Sequence, residues 1–105
     1  MKPVNLQTLI LPLIGWVYDF QKDNKRLPDS LEDLIANRSP SRDYNPERSI
    51  VRNQNEGFSF AYTAKTGGGF EVKVSKDNEA VVYDNATDTL SFYRADELQH
   101  RMELN

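Results

Sequence analysis

A change of hydrophobic period most constrains what this chain can fold into. Over residues 6–20 the large apolar side chains recur at spacings of three and four, and over residues 58–93 they recur at spacing two. The first pattern makes a helix with an apolar face, and the second makes strands with one apolar face each. A half-apolar sheet has to be covered, and the helix is the obvious cover.

On the helix, Leu6, Leu9, Ile10, Leu13, Trp16, Val17 and Phe20 share one broad face, with Thr8, Gly15, Asp19 and Lys22 opposite. Leu11, Ile14 and Tyr18 widen the stripe along one side, which suggests burial by more than one surface. Pro12 lacks an amide donor and crowds the preceding turn. Two arrangements follow: a helix that begins near Pro12 after an apolar lead-in, or one that runs through residues 6–24 with a bend. Lys22, Lys25 and Arg26 place positive charge at the helix end, and Asn24 suits a left-handed closing position. Leu27 precedes Pro28 and is pushed toward extended backbone. Asp29 or Ser30 then caps a short helix over residues 30–36, with Glu32 and Asp33 placed for a capping box.

Residues 37–47 hold two prolines and several serine and charged positions, and are expected to be an irregular connection with surface arginines. Residues 49–52 read as a short edge strand. Phe58, Phe60 and Tyr62 alternate with Ser59, Ala61 and Thr63. After the turn Thr66-Gly67-Gly68-Gly69, Phe70, Val72 and Val74 alternate with Glu71, Lys73 and Ser75. Two more strands follow over residues 80–83 and 89–93, and residues 94–105 read as a tail of weak helical character. The expected fold is one α+β domain over residues 1–105: a long N-terminal helix and a short second helix on a three- or four-stranded antiparallel sheet.

Composition excludes several functions. The 105 residues suit one domain, and the formal net charge of −3 gives no footprint for nucleic acid. There is no cysteine, so disulfides, thiol catalysis and thiolate metal sites are out. Met1-Lys2-Pro3 before the apolar run has the start of a signal peptide, but no small-residue cleavage site follows. That stretch is therefore assigned to the folded domain. The single histidine, His100, stands alone; no serine sits in a nucleophile elbow, and the triple glycine lacks the Lys-Ser/Thr of a phosphate loop. Phe58, Phe60 and Tyr62 suit a core better than base stacking, given the acidic balance. No acid, base and nucleophile set can be assembled, so no enzyme and no cofactor is expected.

The order helix, Tyr18-x-x-x-x-Asp23-Asn24-x-Arg26-x-Pro28, Ser30-capped Leu31-x-x-Leu34 and then antiparallel strands resembles the periplasmic part of type II secretion pseudopilins and type IV pilin-like proteins. The likeness covers roughly residues 13–36. Such proteins usually have glycine where Lys25 stands, and often tyrosine where Leu27 stands. The resemblance implies a structural or assembly subunit of a secretion or pilus-like system, located in the periplasm or otherwise outside the cytoplasm. Its partners would be other pilin-like subunits or secretion-system proteins. Membrane contact would come only through a spanning segment that precedes the domain in that family. Leu11, Ile14 and Tyr18 are the expected contact residues on the helix. Some members bind calcium in a late loop, which draws attention to Asp84, Asn85 and Asp88; an ordinary Asx-rich turn is the expected reading there. The alternative is a stand-alone extracytoplasmic binding domain for a protein or small ligand.

Overall fold

The computed structural model describes residues 6–37 and 46–104. Helix α1 (Leu6–Asn24) leads into the short α2 (Leu31–Ala36) and then α3 (Pro46–Asn55). Five strands follow: β1 (Ser59–Ala64), β2 (Phe70–Lys76), β3 (Glu79–Asp84), β4 (Thr89–Arg94) and β5 (Glu97–Glu103). They form one antiparallel meander in the order β1-β2-β3-β4-β5.

Two expectations are corrected. The sheet has five strands, not three or four, because residues 97–103 pair with β4 instead of forming a loose helical tail. Residues 46–55 are a third helix, so the edge strand expected over residues 49–52 does not exist. The β-branched pair Ile50-Val51 suggested a strand. Pro46 outweighs it: at the first helical position proline gives up no hydrogen bond and its φ is already helical. Ile50 and Asn53, three apart, turn to the core, and Val51 is exposed. Gly57, with φ +98, takes a conformation open to glycine and lets the chain turn into β1. The irregular connection expected over residues 37–47 lies largely outside the described residues.

Helix α1 runs through Pro12 from Leu6 to Asn24. Ile10, Leu13, Ile14, Val17 and Phe20 are its buried face, lying on β2 and β3. The opposing sheet residues are Phe70, Val72, Val74, Val81, Tyr83 and Leu90, all fully buried. Their register explains the set: Val72 pairs with Tyr83, Val74 with Val81, and Tyr83 with Leu90, so all point to one face. Burying each large side chain contributes roughly 1.5–3 kcal/mol, so this layer carries most of the stabilisation.

The joint between α1 and α2 is fixed by one carboxylate. Ser30 Oγ accepts the amide of Asp33 at 3.0 Å, which makes Ser30 the N-cap. Asp33 in turn accepts the amide of Asp29 at 2.9 Å, two guanidinium N–H groups of Arg26 at 2.7 and 3.2 Å, and the Asn37 side-chain amide at 2.8 Å. Asn24 Nδ2 donates to the carbonyls of Phe20 and Asn37. Arg26 also lies over the Phe20 ring, 5.0 Å from its centroid, and Pro28 is fully buried. The residues Asn24, Arg26, Pro28 and Asp33 thus set the angle at which the chain leaves α1.

Candidate functional site

Two surfaces stand apart from the core. The first is the solvent side of α1. Thr8, Leu11, Gly15, Tyr18 and Lys22 are all exposed and follow one another at alternating spacings of three and four. That is the spacing of a helix–helix seam. Leu11 and Tyr18, one heptad apart, are 40% and 41% exposed. At Gly15 an added Cβ meets nothing within 4 Å, so a partner helix has room to approach there.

The three expected contact residues do not share this surface. Leu11 and Tyr18 lie on it, but Ile14 is only 6% exposed and belongs to the core. Ile14 is one turn below Ile10 on the buried face, which is broader than the strip first assigned to the core. Tyr18 is anchored at its inner side. Its ring meets Phe70 edge-on at 5.5 Å, and its hydroxyl lies 2.7 Å from that of Tyr83. The Tyr83 hydroxyl donates to Asp88 at 2.5 Å, so Tyr18 is left to donate to Tyr83. Burial, then the bonds to Asp88 and Tyr18, push the Tyr83 phenol well above its ordinary range.

The Asp84–Asp88 turn spends its oxygens internally. Asp84 accepts the Ala86 amide and pairs with Lys65 at 3.1 Å. These contacts, the amide bond first, hold its pKa below the ordinary carboxylate value. Asn85 Oδ1 accepts a hydrogen bond from the Phe70 amide, and Asp88 accepts one from the Tyr83 hydroxyl. Among the described residues no group of three or more His, Cys, Asp or Glu is arranged to hold a metal. Nor is any helix there long and apolar enough to cross a membrane. His100 is on β5, exposed, and stacks on Phe92 with centroids 4.2 Å apart.

The second surface is the sheet face away from the core, which sequence reasoning missed. A hollow of about 670 Å³ opens there. Val82 and Ser91 lie at its floor by register, and Glu71, Tyr93, Arg101 and Glu103 line it. Two of these residues come from β5, which the sequence presents as a tail. The available signal was the alternation of His100 and Met102 with Arg101 and Glu103; the bulge opposite Phe92 and Tyr93 interrupts it before Leu98.

No protein-family model, curated protein or solved structure matches this chain.

Proposed function

We propose that the chain is a non-enzymatic assembly subunit of a pilus-like or secretion system, working outside the cytoplasm in the manner of a pseudopilin domain. Its α1 ridge packs against the equivalent helix of a neighbouring pilin-like subunit, and copies of this chain make that contact. The observation that carries this reading is the exposed Leu11–Gly15–Tyr18 seam on a helix whose other side is fully committed to the sheet. Two further features support it. The residue in place of the family's glycine, Lys25, takes the left-handed φ of +59 that a glycine adopts readily. The Asn24-Arg26-Pro28 turn holds α2 against the end of α1 through Asp33.

Sedimentation equilibrium tests the proposal. Leu11→Glu and Gly15→Glu place a charge on the ridge without touching the core, and each is expected to shift the protein toward monomer. Tyr18 is unsuitable for this purpose because its hydroxyl also bonds Tyr83. Unchanged association in both variants would count against the ridge.

The hollow on the outer sheet face favours a second reading, an extracytoplasmic binding domain for a small ligand. The two readings use opposite faces of the molecule and do not compete.

A further inference from the structure

We infer that the outer face of the sheet binds an uncharged oligosaccharide, lying across β2–β5 in the hollow between Glu71 and Arg101. The inference stands on the sheet alone and does not depend on the role of α1.

Register fixes which side chains meet. Glu71 pairs with Asp84, Asp84 with Thr89, and Thr89 with Glu103, giving a row of hydroxyl and carboxylate groups across four strands. The next row is Lys73, Val82, Ser91 and Arg101. Tyr93 borders the hollow one position further on, opposite Leu98. Small side chains therefore occupy the middle, and long ones stand at the rim. The volume, about 670 Å³, falls within the roughly 300–1,000 Å³ usual for small-ligand sites.

The chemistry selects the ligand. Three carboxylates line the hollow: Glu71, Asp84 and Glu103. Lys65 sits 3.6 Å from Glu71 and 3.1 Å from Asp84, and Arg101 lies within the lining. The charges nearly cancel, so neither a polyanion nor a polycation gains from long-range attraction. A sugar chain matches what is left. Its hydroxyls donate to the Glu71 and Glu103 carboxylates and accept from Arg101 and Ser91, which are charge-assisted or neutral hydrogen bonds of ordinary type. Its C–H face covers Val82 and the Tyr93 ring, which supply the apolar area that fixes orientation. An extended ligand suits a hollow that runs across strands and is open toward solvent.

The test uses the whole chain and uncharged tetrasaccharides as probes: chitotetraose, cellotetraose and maltotetraose, each titrated while backbone amide shifts are followed by NMR. At least one is expected to bind with a Kd of about 1 mM or tighter, with shift changes confined to β2–β5. Arg101→Ala should weaken binding about tenfold or more by removing a charged donor. Ser91→Tyr, which fills the floor, should abolish it. Both positions face solvent, and an unchanged melting temperature shows that the fold persists. No shift changes with any of the three sugars would overturn the inference. So would binding that survives both substitutions, or binding of tetralysine or a sulfated tetrasaccharide in preference to the neutral ones.

Discussion

Tyr18 and Tyr83 meet hydroxyl to hydroxyl at 2.7 Å, joining the exposed side of α1 to the centre of the sheet across 65 residues of sequence. Tyr83 is fully buried, and its proton is committed to Asp88. Removing the Tyr83 hydroxyl leaves a half-buried carboxylate and the Tyr18 hydroxyl without this partner. Tyr83→Phe should therefore cost about 1–2 kcal/mol in chemical denaturation. Tyr18→Phe should cost less, because Tyr18 is an exposed residue and its loss leaves the Tyr83–Asp88 bond in place. Equal stability of Tyr83→Phe and the wild type would show that the network contributes nothing.

Tyr62 makes the opposite case. Its hydroxyl is buried and has no hydrogen-bond partner among the described residues. Burial pushes its pKa up to about 12. A raised phenol favours the neutral form in the folded state. Its contribution is therefore complete below the unfolded value of roughly 10 and is lost as pH rises toward 12. Tyr62→Phe should be neutral or stabilising by up to about 1 kcal/mol at pH 7. It should also remove part of the alkaline loss of stability above pH 10 or so. A clear destabilisation at neutral pH would reveal a partner for that hydroxyl.

Asp33 should govern acid stability. The Arg26 bond, then the Asp29 amide, hold its carboxyl well below the ordinary range. A lowered carboxylate contributes fully above the unfolded value of about 3.9 and loses that contribution as pH falls toward the folded value. Asp33→Asn should lower the melting temperature by a few degrees at pH 7, and the gap should close below pH 4 or so. A gap that stays constant down to pH 2 or thereabouts would contradict the ionic part of the assignment.

Lys25 closes α1 with φ +59, a conformation that costs a residue with a β-carbon roughly 1 kcal/mol. Its amide donates to the Gln21 carbonyl at 2.9 Å, so the turn is required at this position. Lys25→Gly should stabilise by up to about 1 kcal/mol, and Lys25→Val should destabilise by at least as much. The reverse order in thermal unfolding would show that the left-handed turn is not kept in solution.

The legible parts of the sequence were those with a long, regular period. Leu13, Val17 and Phe20 announce a helix face, and Phe70, Val72 and Val74 announce a strand, because each repeats its spacing over several turns or pairs. Residues 97–103 hide their strand. Their side chains are charged or long, as befits an edge strand, and the turn before them is Ala95-Asp96. Both residues have positive φ, the requirement of a tight hairpin, yet alanine gives no warning of it. The helix at residues 46–55 was hidden by Ile50-Val51, where tertiary contact of Ile50 overrides strand propensity. Ile14 was misplaced for a related reason. A helical wheel orders the faces, but only packing decides how much of the wheel the sheet covers. The outer hollow needs strand register, and composition carries none of that information.

The central claim, that the α1 ridge is the subunit contact, is tested most directly by photo-cross-linking. A benzoylphenylalanine replaces Leu11 in one variant of the purified chain and Lys73, on the opposite sheet face, in another. After illumination, position 11 should give cross-linked dimer in several-fold excess over position 73, and adding Gly15→Glu should suppress it. Equal yields from the two positions, unaffected by Gly15→Glu, would contradict the claim.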